Sequence, residues 1–249
     1  MGIDLQPRDY DVLGHVARYR MTRAKTIERR FFDPSNPKPG EGARTLIGRL
    51  VGAGFLQAAP LFAREKYYRL TTRGTALLGV PKKWAEPINN QQTFLRTLGL
   101  LMFCCHAPEE RVRLSRDELR ALFPELVPRT NSPINDYYRE GDRLVRIKVD
   151  SGRQPTQLRD DCIRIVEKAK ADPTLARLLA NDRFGLAIVT ARRQNARRLL
   201  IGLSNHPRFT PTWSEPGPLR DRPNLLDLEV PFLLEVVPDL VPLLANEQS

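Results

Sequence analysis

Apolar positions near the start of the chain recur at helical spacing and predict three successive helices. The first helix opens at Pro7 and covers residues 7–20. The second extends from an N-cap at Thr22 to Phe32. The third covers residues 43–51, and its apolar positions form one continuous stripe made of Leu46, Ile47, Leu50 and Val51. Each helix therefore has one face to bury.

A hairpin and a short helix are predicted next. Gly52 and Gly54 end the third helix, and two strands flank residues 63–65. A short helix starts at Thr72 and stops before Pro81. This order of three helices, hairpin and helix predicts a winged helix-turn-helix, which is a DNA-binding arrangement.

A different pattern begins after a polar, proline-containing boundary at residues 81–90. A buried helix around residues 94–102 and a helix that opens with a capping box at residues 115–118 come first. A hairpin follows, and its strands at residues 136–139 and 144–150 flank a glycine-containing turn.

Helix and strand then alternate. An amphipathic helix is predicted at residues 156–170, an unbroken apolar strand at 185–190, and a helix at 191–201 capped by Thr190. A strand, helix, strand, helix order requires a parallel crossover, so this region is predicted to be an α/β domain.

Three regions are therefore expected, with a fold that is α+β and α/β overall. The DNA-binding domain covers residues 1–82, and the α/β domain covers residues 83–214. Residues 215–249 form a proline-rich, acidic extension, which we expect to pack on the second domain as short helices or an extended cover.

Charge is distributed unevenly over the chain. Residues 1–90 hold 16 basic and 8 acidic residues, residues 91–214 hold 22 and 14, and residues 215–249 hold 2 and 7. Two basic blocks thus precede an acidic tail, which indicates a polyanionic partner for the body of the protein.

The cysteines and histidines show no metal-ligand spacing. Two of the three cysteines, Cys104 and Cys105, are adjacent in an apolar run, and we interpret all three as buried small hydrophobes in a reducing compartment. The three histidines are interpreted as structural. The chain begins without the organisation of a signal peptide, and no apolar run approaches membrane-spanning length. We therefore expect a cytoplasmic protein with no membrane contact, metal or other cofactor.

The predicted third helix and the hairpin carry residues suited to DNA. Arg44, Thr45 and Arg49 lie on the helix that would enter the major groove, where Arg can donate two hydrogen bonds to guanine. The hairpin adds three cations that would meet phosphates or the minor groove, namely Arg64, Lys66 and Arg69. A solvated helix face could carry the same residues, but the agreement of topology with charge favours DNA.

Four segments, at residues 7–13, 44–56, 70–74 and 136–153, together resemble the plasmid replication-relaxation family of bacterial mobile elements. The resemblance implies a winged helix joined to a restriction-endonuclease-like α/β domain. It also implies a role in the transcription, replication or transfer of such an element.

Nucleases of that fold place one Asp on the first hairpin strand and an acid-x-Lys or acid-x-Asp pair on the next, so that carboxylates converge on a divalent metal. By this resemblance Asp136 matches the first acid, and Lys148 and Asp150 share a strand face because they are two residues apart. Lys148 stands where an acid is expected, and an ammonium repels a cation. The resemblance implies an inactive site with Lys148 between Asp136 and Asp150. Alternatively, the three are ordinary strand charges.

The helix after the buried strand carries four arginines on two neighbouring faces, namely Arg192, Arg193, Arg197 and Arg198. They would either bind the phosphate backbone alongside the winged helix or form a solvated helix face.

Three functions compete. The preferred one is a sequence-specific, double-stranded DNA-binding protein of a bacterial mobile element, which acts as a homodimer and carries a degenerate nuclease-like domain. The second is a metal-dependent nuclease or nicking enzyme of plasmid or phage replication that uses Asp136, Lys148 and Asp150, although Lys148 argues against it. The third is an adaptor that docks a protein partner through its C-terminal region.

Overall fold

The computed structural model describes residues 4–33, 40–62, 64–107, 111–127, 136–204, 232–237 and 240–244. Within these ranges the chain mixes α-helices and β-strands and divides into two compact units, residues 1–108 and 109–249. None of the helices described is both long enough and apolar enough to cross a membrane.

The first unit begins with the predicted order of elements. Its helices and strands are α1 (Pro7–Tyr19), α2 (Ala24–Phe31), α3 (Glu41–Gly52), β1 (Leu56–Pro60), β2 (Lys66–Leu70), α4 (Thr72–Leu78) and α5 (Gln91–Cys105). β1 and β2 form an antiparallel hairpin. The expected succession of three helices, hairpin and helix is confirmed.

The core of this unit forms where α1, α2 and α3 meet the hairpin. These elements contribute side chains that are at most 2% exposed, including Val12, Leu13, Ile27, Leu50 and Leu70. Thr22 and Tyr68 exchange two backbone hydrogen bonds, each 2.8 Å from N to O. This bridge fixes the segment between α1 and α2 to the hairpin. Arg23, and not Thr22, occupies the N-cap position of α2.

α4 packs closely on the chain that leaves α3. A Cβ added at Gly74 would lie 2.4 Å from the carbonyl oxygen of Phe55, so only glycine allows this approach. Thr71 caps the helix, because its hydroxyl accepts a hydrogen bond from Gly74 N at 3.1 Å.

α5 belongs to the first unit. Thr26 Oγ1 of α2 lies 2.9 Å from Nε2 of His106, at the end of α5. The rings of Tyr67 and Phe94 meet edge to face, with centroids 5.2 Å apart. The units therefore divide between residues 108 and 109, later in the chain than the expected boundary at 82/83.

The second unit is built on a mixed sheet that has five strands among the residues described. In chain order its elements are β3 (Val112–Arg113), α6 (Arg116–Leu122), β4 (Asp136–Glu140), β5 (Arg143–Val149), α7 (Pro155–Ala171), α8 (Pro173–Ala180), β6 (Phe184–Thr190), α9 (Arg193–Ser204), β7 (Phe232–Val236) and α10 (Val241–Leu244). β3, β4 and β5 pair antiparallel, whereas β5, β6 and β7 pair in parallel. The predicted hairpin and the predicted parallel crossover are confirmed.

α7, α8 and α9 pack on one face of this sheet. The core there joins helix side chains such as Leu158, Cys162, Leu178 and Leu199 to the strand residues Leu144 and Ile188. Every residue of β6 is buried, as expected for a parallel strand that is covered on both faces.

Two expectations about the end of the chain change. Thr190 is the last residue of β6 and α9 begins at Arg193, so Thr190 does not cap that helix. Residues 232–236 of the expected extension form β7, which pairs in parallel with β6 and is therefore a strand of the sheet. Residues 205–231, 238–239 and 245–249 lie outside the described part of the chain.

Candidate nucleic-acid interface

α3 presents a polar face opposite its buried apolar stripe. Arg44, Thr45 and Arg49 are exposed on this face, together with Gly48 and Gly52. A Cβ added at either glycine would have no neighbour within 4 Å. The face therefore combines polar and cationic side chains with bare helix backbone that another molecule can approach closely.

The two arginines of this face are held differently. Arg44 donates from Nε to the carbonyl oxygen of Gly40 at 3.0 Å, which uses one of the five N–H donors of its guanidinium. Arg49 forms an ion pair with Asp9 of α1, whose side chain is fully buried and also accepts a hydrogen bond from Gln6 N at 2.8 Å. Arg49 therefore links α3 to α1, whereas the side-chain hydrogen bond of Arg44 goes to Gly40, at the start of α3 itself.

The hairpin cations divide in the same way. Arg64 and Lys66 are exposed, as a DNA contact requires. Arg69 is only 9% exposed and donates to the carbonyl oxygen of Ala85 and, at 3.0 Å, to Gln57 Oε1. The expectation that Arg69 meets DNA is corrected, because its guanidinium is engaged inside the unit.

α2 carries exposed cations that were not among the residues expected from the sequence. Lys25, Arg29 and Arg30 are exposed on this helix, and buried Arg23 forms an ion pair with Glu65 of the hairpin turn. The sequence does indicate these three exposed cations, because they fall within six residues of one helix next to α3. The Arg23 pair joins residues 42 positions apart, so no local pattern revealed it.

In the second unit the three residues of the expected nuclease-like site do not come together. Asp136 is paired across the hairpin with Ile147, so its side chain lies on the opposite face of the sheet from Lys148. Asp136 accepts a hydrogen bond from Arg113 at 2.8 Å, and Lys148 pairs with Asp161 of α7 at 2.7 Å. The expectation that Lys148 lies between Asp136 and Asp150 is therefore wrong.

Asp150 instead ties together the loops at the carboxyl ends of β5 and β6. One of its carboxylate oxygens accepts hydrogen bonds from the backbone N–H groups of Gly152 and Arg153 at 3.0 and 3.2 Å. The other accepts from Thr190 Oγ1 at 3.1 Å and Asn195 Nδ2 at 3.4 Å. Asp150 is 2% exposed, and these four donors offset the cost of burying its charge.

A second carboxylate at the same edge gathers three cations. Asp161 lies 2.7 Å from Lys148, 3.0 Å from Arg153 and 3.3 Å from Arg164. Burial raises the pKa of Asp161, but the hydrogen bond and charge of Lys148 and the charges of the two arginines hold that pKa below its ordinary value. We call Lys148, Arg153, Asp161 and Arg164 the Asp161 cluster. Of these four residues only Lys148 was expected at a site. Its partner Asp161 lies on a different element, so no local pattern of the sequence connects the two.

α9 begins beside this edge of the sheet. Its inner face buries Ala196, Leu199, Leu200 and Leu203, and the four expected arginines, Arg192, Arg193, Arg197 and Arg198, are exposed. Arg192 lies in the loop after β6 and Arg193 begins α9, between Thr190 and Asn195, the two residues through which Asp150 anchors this loop.

The cysteines and the histidine of α1 are buried. All three thiols are unbridged, and burial raises the pKa of Cys105 to about 11 and that of Cys162 to about 12. Burial lowers the pKa of His15 to about 3, and repulsion from Arg30 and Arg18 acts in the same direction. Across the described ranges, no group of three or more His, Cys, Asp and Glu side chains is arranged to hold a metal ion.

Comparison with known protein families, with curated proteins and with solved structures finds no match for this chain.

Proposed function

We propose that the chain binds double-stranded DNA through its first unit, which acts as a winged helix with α3 in the major groove and the β1–β2 hairpin on the adjacent backbone. The observation that carries the proposal is the exposed face of α3, where Arg44 and Thr45 lie beside the bare backbone of Gly48. The bridge between Thr22 and Tyr68 supports it, because it ties the helices to the hairpin as a winged helix requires.

The dimensions of the groove give the glycines of α3 a role. A helix with its side chains is about 10–12 Å across, and the major groove is about 12 Å wide. Gly48 and Gly52 reduce the width of α3 on its exposed side, so the helix can sit deeper and bring Arg44 and Thr45 to the base edges.

The second unit adds contacts to phosphates without reading sequence. In an open α/β sheet, ligands bind beyond the carboxyl ends of the strands, which is where the Asp161 cluster lies with Arg192 and Arg193. In that cluster three cations face one carboxylate, and the arginines of α9 carry further positive charge. This combination suits a polyanionic backbone.

The proposed role is regulation of transcription, replication or transfer in a bacterial mobile element, carried out by a homodimer. The order of hairpin, α7 and parallel β6 is compatible with the restriction-endonuclease-like architecture implied by the resemblance. Asp136 and Asp150 lie apart and each accepts hydrogen bonds from protein donors, so the nuclease alternative has no support from their geometry.

The test starts with selection of duplexes from a random library by the purified full chain. We expect an enriched site, and Arg44→Ala should weaken binding to it by about 10–100-fold in fluorescence anisotropy, with a far smaller effect on a scrambled duplex. Arg120→Ala is the matched control, because Arg120 is an exposed arginine of α6 that pairs with Asp117 at 3.4 Å. A palindromic site bound by two chains supports the homodimer. Failure to enrich any sequence, or equal loss on both duplexes, contradicts base readout by α3.

A further inference from the structure

The second unit contains a cavity at the amino ends of its parallel strands, the edge opposite Asp150. It has a volume of about 360 Å³ and lies among the β4–β5 turn, the end of α6 and the end of α8. This volume falls within the range of about 300–1,000 Å³ found for small-molecule sites.

Part of the cavity lining is apolar, and we call this part the floor. Five side chains form it, namely Leu114, Leu122, Phe123, Leu144 and Leu178. Leu144 and Leu178 belong to the core, but Leu122 is 44% exposed although it is a large aliphatic residue. The floor thus offers Leu122 and Phe123 as a contact surface for the apolar or planar body of a ligand.

The charged side chains of the lining, which we call the rim, are mostly cationic. Four arginines line it, namely Arg139, Arg143, Arg177 and Arg183, against two carboxylates, Glu125 and Asp142. The lining itself carries two more positive than negative charges, but Arg143 also pairs with Glu140 and Asp182, which lie outside the lining. Arg177 and Arg183 are therefore the cations that the cavity offers to an anion.

The ion pairs of the rim are long and open to water. Arg177 Nη2 lies 3.5 Å from Glu125 Oε1, and Arg183 Nε lies 3.3 Å from both the Oδ2 atom and the backbone carbonyl oxygen of exposed Asp142. Single-nitrogen pairs between exposed side chains contribute little to stability, whereas a phosphate can accept two short, parallel hydrogen bonds from one guanidinium. These arginines can therefore turn from their present partners to a phosphate at small cost.

We propose that this cavity binds an organic phosphate of mononucleotide size, with its planar body on Leu122 and Phe123 and its phosphate held by Arg177 and Arg183. Both parts of the site are needed. Inorganic phosphate leaves the apolar floor uncovered, and a neutral nucleoside leaves the guanidiniums without an anion. The site is separate from the proposed DNA-binding surfaces and does not depend on that function.

Isothermal titration calorimetry on the full chain tests the proposal with adenosine 5′-monophosphate, adenosine and inorganic phosphate as probes. We expect saturable binding of the monophosphate with a Kd below about 1 mM, and binding at least about tenfold weaker for each of the other two probes. Arg177→Ala and Arg183→Ala should each weaken binding of the monophosphate by about tenfold, and Arg177→Lys should retain part of it.

Arg159→Ala is the control, because Arg159 is an arginine of α7 that pairs with neighbouring Asp160 and does not line the cavity. Its affinity for the monophosphate should equal that of the unmodified chain. Leu122→Ser tests the floor and should weaken the monophosphate while leaving inorganic phosphate unchanged. The proposal is overturned by the absence of saturable binding up to about 5 mM, by equal affinity for the monophosphate and inorganic phosphate, or by unchanged affinity in both alanine variants.

Discussion

Buried polar side chains of the first unit hold its helices in place, and His15 shows how this affects stability. Its ring is buried in the unit, with centroids 5.0 Å from Tyr19 and 5.6 Å from Phe31. Its Nε2 lies 3.1 Å from Thr22 Oγ1, next to the bridge that joins the helices to the hairpin. A proton on this ring would place a charge in an apolar site beside Arg18 and Arg30.

His15 should therefore make the fold less stable in mild acid. Its pKa is about 3 in the folded chain and about 6.5 when unfolded, so the unfolded state binds the proton first as the pH falls. The contribution of neutral His15 to the free energy of unfolding is fully present above about pH 6.5. It decreases below that pH, by about 2 kcal/mol between pH 7 and pH 5. Denaturant titrations at the two pH values measure this change.

His15→Gln provides the comparison, since a glutamine amide can reach the same hydroxyl of Thr22 without titrating. The carboxylates contribute equally to both proteins, so the difference between the two pH dependences reports His15 alone. Parallel curves for the two proteins would show that His15 does not titrate differently on folding.

Two glycines within the helices of the first unit lie in opposite environments, one closely packed and one open. Gly74 allows α4 to approach the backbone of Phe55, whereas Gly48 of α3 is exposed, with nothing near the position of a Cβ. A glycine inside a helix costs about 0.5–1 kcal/mol relative to alanine. Gly48 therefore weakens α3 without any packing reason inside the described unit, which is what a binding surface would require.

Substitution at these positions should separate fold from binding. Gly48→Ala should raise the free energy of unfolding by about 0.5–1 kcal/mol, while Gly74→Ala should lower it by about 1–3 kcal/mol because its methyl group meets Phe55. Affinity for the selected duplex should be lower for Gly48→Ala than for the unmodified chain, and lower still for Gly48→Leu. A larger side chain at this position would hold α3 further from the floor of the major groove. Thermal unfolding and fluorescence anisotropy on the same samples measure both effects. A Gly48→Leu variant that binds the duplex normally would contradict the proposed seating of α3.

Elements with a strong local pattern were predictable from sequence. α3, the β4–β5 hairpin, α7 and the buried strand β6 all carry periodic apolar positions, and each forms within a few residues of its expected bounds. β7 was missed because its five residues follow a proline and precede another, and only its pairing with β6 makes it a strand. Likewise, the polar residues 81–90 suggested a domain boundary, although α5 beyond them packs on α2.

The candidate site was predictable only where exposure follows from helical periodicity. Arg44 and Thr45 lie opposite the apolar stripe of α3 and are exposed as expected. Arg69 shares a strand face with buried Tyr67 and not with exposed Lys66. Its engagement with Ala85 depends on a segment 16 residues away. Asp161 meets Lys148 across two elements, so the sequence indicated neither residue's partner.

At the scale of the whole molecule, the net charge of +11 favours binding to a polyanion, and the number of phosphate contacts sets how that binding depends on salt. Each phosphate that a protein neutralises contributes about 0.9 to the slope of log affinity against log salt. If the carboxyl edge of the second unit contacts phosphates, replacing Arg192 and Arg193 together with alanine should reduce that slope by about 1–2. The loss of affinity should be the same on the selected and the scrambled duplex, because phosphate contacts carry no sequence information.

Asp161→Asn should shift affinity in the opposite direction. It removes the carboxylate that Lys148, Arg153 and Arg164 share, so these cations become available to phosphates and affinity for both duplexes should rise at low salt. Arg120→Ala leaves the exposed face of α3 and the carboxyl edge of the second unit intact. It should change neither the salt slope nor the affinity by more than a small amount. Opposite shifts in the two charge variants, with sequence preference preserved, assign phosphate binding to this edge. A loss confined to the selected duplex would instead mean that α9 reads bases, and an unchanged slope in both variants would remove the second unit from the DNA interface.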